Sequence, residues 1–319
     1  MKRRSKVFLM AAAVLVGAGL IICLIGAGIS SAAGDPLFAS SLEEGKGYRY
    51  PFDGSKIDKI KLDVADAKIQ IIGGAEESYI EILHFNENLY SFSMSKSLIS
   101  FKESPDVSSV LRFWESGFTF KGLRYILRLS PNKGEKAINV HLTDDDYVKC
   151  LEVKSRTGNI SVTDMETDTD YIFTMESGSV KMENVTTGSA LSVTSTGTQP
   201  CAVELENTTV RLLTLNLTEG DVQAKVLSAL TSKIDVAHGS INLDYIPRRD
   251  LFTIAVNTKG KLSVNEVGYI DKYQYTTKEE DAQPGDDEET EEETLTINCK
   301  DAAVYLFAQT LPADTQKAK

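Results

Sequence analysis

The sequence predicts an all-β protein, a single-stack parallel β-solenoid or β-roll with coils of about 20 residues, preceded by one transmembrane helix. Three observations predict this fold class. A glycine-containing phrase recurs between residues 157 and 264, apolar and polar residues alternate around each copy, and an uncharged apolar stretch follows a basic N-terminus. Alternation with a period of two is typical of strands, and a fixed repeat of this length is typical of stacked supersecondary units.

The repeated phrase is a small or polar residue, a glycine, a polar residue, and then two apolar residues that flank a polar one. Five copies are clear, at residues 157–162, 177–182, 219–224, 238–243 and 259–264. Their glycines are 20, 42, 19 and 21 residues apart, so the gap of 42 holds two periods. We assign the missing copy to Thr196-Gly197-Thr198 and the residues up to Val203, a degenerate copy whose strand is displaced by Pro200. A glycine in this fixed place predicts a corner with positive φ, which glycine adopts without a Cβ penalty.

Most copies are followed by a second short alternating run, so each repeat supplies about two strands. These runs are residues 171–175, 191–193, 213–217 and 252–256. A unit of two short strands cannot bury its own apolar face, so each strand is expected to pair with its equivalent one repeat away. An antiparallel sandwich of regular hairpins is the alternative. The phrases lack the Asn-Gly and Asp-Gly pairs of two-residue hairpin turns, which favours the solenoid.

Weaker copies of the pattern extend toward both ends of the exported part. Residues 57–64, 67–72 and 79–82 resemble a strand pair with a return, and we interpret them as a first coil. Residues 295–299 and 303–306 are interpreted as the coil that closes the stack. The stretch 86–142 is less regular and rich in aromatic residues, and we predict an irregular coil or a cap there.

These features resemble the bacterial putative-adhesin family of β-strand-repeat proteins, a domain of unknown function. The resemblance rests on the opening at residues 57–64, on the Ser/Thr-Gly-x-Ile/Val-x-Val phrases from Gly158 onward and on the preceding apolar segment, and it spans residues 48–306. It implies a β-roll of either hand on the cell surface, often near envelope-stress or export systems, with no assigned catalytic residues. The stretch 86–142 and an acidic insertion depart from the family pattern.

The N-terminus is predicted to anchor the chain in a membrane. Residues 1–6 form a basic tail, 7–29 contain no charge and are long enough to span a bilayer as a signal-anchor helix, and 30–47 form a juxtamembrane linker. Cleavage after Ala33 is an alternative, and so is acylation of Cys23, which the large Ile22 before it disfavours. The extracytoplasmic solenoid domain is then 48–310, with a C-terminal tail at 311–319.

Charge fixes the predicted orientation and excludes one class of partner. Lysines and arginines stay on the cytoplasmic side of a membrane, so the N-terminus is expected in the cytoplasm and the rest outside the cell membrane. The exported part carries 30 basic and 46 acidic residues, a net charge of −16. Nucleic-acid binding requires a basic surface, so we exclude it.

The sequence predicts no catalytic, cofactor-binding or metal-binding residues. Three histidines, His84, His141 and His238, stand apart from one another. Residues 164–170 carry a carboxylate at every second position but lack the glycine and glutamate of a calcium loop. Residues 278–294 form an acidic stretch that we interpret as a disordered loop, with divalent-ion or basic-partner binding as the minor alternative. Cys150, Cys201 and Cys299 are either buried thiols or include one disulfide, such as Cys150 to Cys201.

We therefore expect a non-enzymatic, membrane-anchored protein of the cell surface. The leading hypothesis is an adhesin-like binding or scaffolding module whose partner is an envelope protein or a polysaccharide. The alternative is an accessory or sensory protein of an envelope-stress or export system. A carbohydrate-active enzyme is the least favoured hypothesis, because no nucleophile elbow or phosphate-binding loop is present.

Overall fold

The computed structural model describes residues 47–85, 90–104, 135–249, 252–277 and 293–308. These ranges are all-β: seventeen strands join one hydrogen-bonded network, and the single helical turn is a 3-10 turn at Gly54–Lys56. No helix in these ranges is long and apolar enough to cross a membrane. The predicted tails at 1–6 and 311–319, the membrane segment 7–29, the linker up to residue 46 and the acidic stretch up to residue 292 lie outside the described residues.

All seventeen strands lie in one compact unit, residues 47–103 and 134–319. The strands are β1 Tyr48–Pro51, β2 Lys59–Ile72, β3 Tyr79–Leu83, β4 Tyr90–Met94, β5 Leu98–Glu103, β6 Ala137–His141, β7 Cys150–Glu166, β8 Asp170–Met175, β9 Gly178–Thr186, β10 Ala190–Ser195, β11 Cys201–Tyr245, β12 Phe252–Asn257, β13 Leu262–Val264, β14 Val267–Tyr269, β15 Lys272–Thr276, β16 Glu293–Cys299 and β17 Ala303–Ala308. The alternating runs of the sequence are strands, as predicted.

Consecutive repeats pair in parallel along two ladders. In the first ladder, residues 59–64 of β2 pair with the start of β7, which pairs with β8, then β10, then residues 212–216 of β11. In the second ladder, residues 68–72 of β2 pair with 159–163 of β7, followed by β9 and then 201–209 of β11. From β7 onward each step joins residues about one repeat apart, such as Val162 and Met182, whereas the step from β2 to β7 joins residues that are 91 positions apart.

The inward side chains of both ladders fill one apolar core, because alternate residues of a strand point to the same side. Ile60, Leu151, Phe173 and Val193 from the first ladder are fully buried, and Val180 from the second belongs to the same core. Aliphatic residues therefore repeat coil after coil at equivalent positions. Burial of this repeated apolar surface is the main favourable term that holds the coils together.

The repeat glycines stack directly on one another in what we call the glycine column. A Cβ built on Gly178 would lie 2.0 Å from the carbonyl oxygen of Gly158, and one on Gly239 would lie 1.8 Å from that of Gly220. Gly158 and Gly178 have φ of +138° and +113°, as predicted, whereas Gly220 does not share this conformation. The close approach of each glycine to a backbone carbonyl oxygen of the neighbouring coil therefore explains more of the repeat glycines than positive φ does.

The degenerate copy has its strand displaced past the proline, as predicted. Cys201, and not Gly197, pairs with Gly178 and continues the glycine column. The oxygen of Cys201 is in turn 1.9 Å from a Cβ built on Gly220. The strand of this copy begins directly after Pro200, so Cys201 takes the place that glycine has in the other copies.

The next corner of each coil holds residues in the left-handed conformation, which we call the asparagine column. Asp164, Asn184, Asn207 and Val226 have φ between 49° and 60°. Asn184 donates from Nδ2 to Oδ1 of Asp164 across 3.0 Å. Short polar side chains tolerate this conformation, whereas a β-branched residue such as Val226 is strained in it.

The last coil of the sequence is not the last coil of the stack. β16 pairs in parallel with residues 231–236 of β11 on one side and with β12 on the other. β17 likewise lies between residues 240–245 of β11 and β13. The interpretation that residues 295–306 close the stack was therefore wrong. The coil of β12 and β13 lies beyond them. The alternating pattern of both coils fits either place, so the sequence pattern could not predict their order.

A buried carboxyl group fixes the start of this inserted coil. Glu293 is fully buried, its Oε2 accepts the backbone N–H groups of Arg248 and Arg249 at 2.7 and 3.0 Å, and its Oε1 contacts the hydroxyl of Tyr245. That hydroxyl also donates to the carbonyl oxygen of Ala229 across 2.8 Å. The single hydroxyl hydrogen of Tyr245 is therefore shared between two acceptors, Oε1 of Glu293 and the carbonyl oxygen of Ala229. Burial raises the pKa of Glu293, which favours its protonated form.

Antiparallel strands cover both ends of the parallel ladders. Beyond β2, the first ladder continues to β5 and then the antiparallel β4, and the second continues to β6, β3 and β1. Within the stretch 86–142 the structure describes strands β4, β5 and β6 and leaves residues 86–89 and 105–134 undescribed. At the other end, β15 and β14 pair antiparallel with β12 and β13. Such short outer strands limit edge-to-edge aggregation.

Candidate binding faces

The outward side of the first ladder is a nearly uncharged surface from β8 onward, which we call the hydroxyl face. Its outward residues come from β8, β10, residues 212–216 and 231–235 of β11, β16 and β12. They are Asp170, Ile172, Thr174, Ala190, Ser192, Thr194, Leu212, Thr214, Asn216, Thr231, Lys233, Asp235, Thr294, Thr296, Asn298, Thr253, Ala255 and Asn257. Threonine dominates because β-branched residues fit the pleated surface of a strand well.

The few charges on the hydroxyl face are largely tied to neighbours. Asp235 lies 3.3 Å from the ammonium group of Lys233 and accepts a hydrogen bond from Nδ2 of Asn298 across 3.0 Å. Two large apolar side chains also point outward, since Ile172 is 39% exposed and Leu212 is 42% exposed. The face therefore offers hydroxyl groups and apolar surface with little charge to desolvate.

Charged residues mark the boundary of the hydroxyl face toward β2. Glu152 on β7 lies between Lys59 and Lys61, with N–O distances of 2.5 and 2.8 Å. Hydrogen bonds from Lys59 and then Lys61 lower the pKa of Glu152, and the bond with Glu152 raises the pKa of Lys59. The hydroxyl face thus begins one strand beyond this ion-pair cluster.

The outward side of the second ladder differs in charge, and we call it the charged face. Lys181 pairs with Glu183 across 2.8 Å, and Lys225 lies 3.7 Å from Glu206 on the preceding coil. The hydrogen bond with Glu183 raises the pKa of Lys181. Two sides of the same stack therefore present different chemistry, one of hydroxyl groups and the other of ion pairs.

A cavity of about 390 Å³ lies near the first coil, lined by Pro51, Phe52, Asp53, Gly54, Glu77, Ser78, Thr143 and Asp146. Its buried acid, Asp146, accepts the backbone N–H of Thr143 at 2.9 Å and contacts the hydroxyl of Ser78. Asp53 pairs with Lys56 at 2.6 Å, and this bond is the largest cause that lowers its pKa. Because these carboxylates are bonded to neighbours, we interpret the cavity as structural.

The remaining candidate residues of the sequence fall in separate places. His141 stacks on Tyr79 with ring centroids 4.2 Å apart, His238 lies 2.6 Å from Asp301, and His84 follows β3. Asp168 and Asp170 bind backbone N–H groups of the next coil. Within the ranges that the structure describes, no three acidic, histidine or cysteine residues are grouped as a metal site.

The three described cysteines are free thiols, so the disulfide alternative was wrong. Cys150 points outward from the first ladder, whereas Cys201 is buried in the glycine column. Burial raises the pKa of the Cys201 thiol to about 11, as it does for Cys299. Cys201 and Cys299 are therefore poor nucleophiles at neutral pH.

Residues 57–283 match the family model described as Toastrack DUF4097. The chain belongs to this family. Toastrack DUF4097 is a domain of unknown function, which agrees with the family resemblance stated for the sequence. No curated protein matches the chain.

Several solved structures resemble this Toastrack protein at low similarity. A putative cell adhesion protein from Clostridium sporogenes has a TM-score of 0.38 and 10% identity, covering 83% of this chain and 100% of that one. A putative lipid binding protein from Parabacteroides distasonis has a TM-score of 0.33 and 9% identity, covering 84% and 97%. A putative adhesin from Parabacteroides merdae has a TM-score of 0.25 and 8% identity, also covering 84% and 97%. Similarities at this level carry no functional argument.

Proposed function

We propose that this Toastrack protein is a non-enzymatic, adhesin-like binding or scaffolding module of the cell envelope, built as a single-stack parallel β-solenoid. The observation that supports the proposal is the hydroxyl face, a nearly uncharged surface on an acidic protein. Ile172 and Leu212 add exposed apolar area to this face. The free energy needed to desolvate uncharged hydroxyl groups is smaller than that for ion pairs, so this face suits a broad contact.

The sequence supports a location outside the cell membrane. The uncharged segment 7–29 follows four basic residues, a pattern that holds the N-terminus in the cytoplasm. In this proposal residues 30–47 link the anchor to the β domain. The binding partner is then an envelope protein or a polysaccharide.

The test is adhesion of cells that display the full chain to isolated cell envelopes. Charge introduced on the hydroxyl face by the double variant Thr194→Lys and Thr214→Lys should reduce envelope retention at least about tenfold, because two charges would have to be desolvated. The matched control, Ser161→Lys and Thr163→Lys, places the same charges on the charged face and should retain binding. Equal retention by both double variants would remove the hydroxyl face from the proposal, and no retention by the unaltered chain would refute the adhesive role.

A further inference from the structure

Two aromatic rings stand exposed beside each other on the inserted strand β17. Tyr305 and Phe307 alternate with the buried Val304 and Leu306, so both point outward on the charged face. Tyr305 is 39% exposed and Phe307 is 50% exposed. Residues two apart on a strand are about 6.7 Å apart, which sets the rings side by side.

The surface next to Tyr305 is low and open. Tyr305 is in register with Asn242 on one side and with Ser263 of β13 on the other. Ser263 is opposite Gly268 of β14, and a Cβ built on Gly268 would meet nothing within 4 Å. Neighbouring strands are about 4.8 Å apart, so a shelf of small residues about 10 Å wide extends from the Tyr305 ring. We call Tyr305, Phe307, Ser263 and Gly268 the aromatic platform.

Charges around the aromatic platform are balanced. The ammonium group of Lys261 lies 5.2 Å from the centre of the Tyr305 ring, which is a favourable cation–π distance. Asp244 is in register with Phe307 on the other side. One charge of each sign borders the rings, and the side-chain amide of Asn242 and the hydroxyl of Ser263 add hydrogen-bonding groups. An uncharged ligand with both an apolar face and hydroxyl groups matches this chemistry.

We infer that the aromatic platform binds a neutral polysaccharide, with sugar rings packed flat on Tyr305 and Phe307. The C–H groups of a sugar ring face carry partial positive charge and pack on the electron-rich face of an aromatic ring. Two rings side by side allow one polysaccharide chain to contact both. A polyanion is disfavoured by the net charge of −16 in the exported part, and a cationic group is disfavoured by repulsion from the ammonium group of Lys261, 5.2 Å from the centre of the Tyr305 ring.

This inference rests on the proposed role as a binding module but concerns a different surface from the hydroxyl face. The test is native gel electrophoresis of the full chain in a polyoxyethylene detergent, since a glycoside detergent would compete. Separate gels contain hydroxyethyl cellulose, glucomannan, dextran or the polyanion polygalacturonate. We expect at least one neutral polysaccharide to retard the protein and polygalacturonate to leave its mobility unchanged.

Three variants make the test specific. The double variant Tyr305→Ala and Phe307→Ala should raise the dissociation constant from the retardation curve at least tenfold. Gly268→Val should do the same by filling the open shelf, without removing any contact. Tyr147→Ala removes another exposed aromatic side chain, 56% exposed and outside the platform, and should bind as the unaltered chain does. Circular dichroism melting of each variant confirms that the fold is kept.

The inference is overturned if no neutral polysaccharide retards the protein, if polygalacturonate retards it equally, or if both platform variants still bind normally. The two proposals remain separable. The Thr194→Lys and Thr214→Lys variant should lose envelope retention while its mobility shift in neutral polysaccharide persists, and the platform variants should show the opposite pattern.

Discussion

The side-chain amide of Asn207 donates to Oδ1 of Asn184 one coil below, across 3.1 Å. Asn184 donates in the same way to Asp164, so the corner residues of three coils form a continuous chain of hydrogen bonds. All three have positive φ, a conformation that asparagine and aspartate adopt more easily than other side chains. At this corner the residue types suit the left-handed backbone conformation, and their side chains have hydrogen-bond partners.

Val226 interrupts the asparagine column, and we predict that Val226→Asn stabilises the protein. Val226 has φ of 60°, is 40% exposed, and lies as far after Gly220 as Asn207 lies after Cys201. Asparagine would relieve strain and extend the hydrogen bonds, for a gain of roughly 1–2 kcal/mol in the free energy of unfolding. Urea unfolding followed by circular dichroism measures it. Val226→Ala is the control, because it cannot extend the column, and an equal gain from Ala would reject the hydrogen-bond contribution.

Gly178→Ala should destabilise the glycine column severely. The new Cβ would approach the oxygen of Gly158 to 2.0 Å, and the φ of +113° disfavours any side chain. The expected loss in the free energy of unfolding is roughly 2–5 kcal/mol. Gly268→Ala is the matched control, since its Cβ enters open space, and it should change stability by less than about 0.5 kcal/mol. Similar unfolding midpoints for the two variants would contradict the close-approach explanation.

Glu293→Gln should stabilise the protein increasingly as the pH rises. The pKa of Glu293 is raised above its usual value of 4.5, so its contribution to stability is fully present below about pH 4.5 and is lost as the pH rises through the folded-state pKa. The side-chain amide of a glutamine offers an N–H group to the hydroxyl of Tyr245 and an oxygen to the backbone N–H of Arg248, and it has no ionisable proton. The difference in melting temperature between the variant and the unaltered protein should therefore grow from pH 4.5 to pH 8.

Glu293→Ala is the companion variant to this prediction. It leaves two backbone N–H groups and the hydroxyl of Tyr245 without their partner, so it should cost roughly 3 kcal/mol at pH 4.5 and less as the pH rises through the folded-state pKa of Glu293. If Glu293→Gln proved as destabilising as Glu293→Ala at pH 8, the carboxyl group would have to be ionised in the folded protein.

The unaltered protein should lose stability at mildly acidic pH through His141, and the variant His141→Phe should lose less. Burial is the largest cause that lowers the pKa of His141, so the folded protein binds fewer protons here than the unfolded chain. The contribution of His141 to the free energy of unfolding is then fully present above pH 6.5 and is lost as the pH drops through the lowered pKa. Phenylalanine keeps the stacking on Tyr79 but cannot be protonated. Melting curves at pH 8 and pH 5 should show a smaller difference for the variant, and an unchanged difference would refute the assignment.

Much of the fold could be predicted from the sequence because strand alternation and the glycine phrase are local signals. Val180 and Met182, or Ile241 and Leu243, are buried as their alternation indicates. The order of the last two coils could not be predicted. The runs of β12 and β16 have the same alternating pattern, and their order in the stack depends on contacts such as Glu293 with Tyr245, between residues 48 positions apart.

The candidate faces were only partly visible in the sequence. Threonine and serine at alternate positions, as in Leu191-Ser192-Val193-Thr194, already indicate an outward row of hydroxyl groups. The same alternation assigns Tyr305 and Phe307 to the outside of their strand. What no local pattern contains is the low shelf beside Tyr305, because Ser263 and Gly268 reach it through pairing between β13, β14 and β17.

The insertion of β16 and β17 has a consequence for how the chain folds during synthesis. A stack that assembles from its N-terminus cannot form in sequence order. The strands that pair with residues 231–245 are β16 and β17, which are synthesised after β12 to β15. Until then residues 231–245 present an unpaired strand edge, and β12 and β13 lack their parallel neighbours. A chain truncated before residue 293 would therefore keep this strand edge exposed, and an exposed edge is a site where β-proteins aggregate.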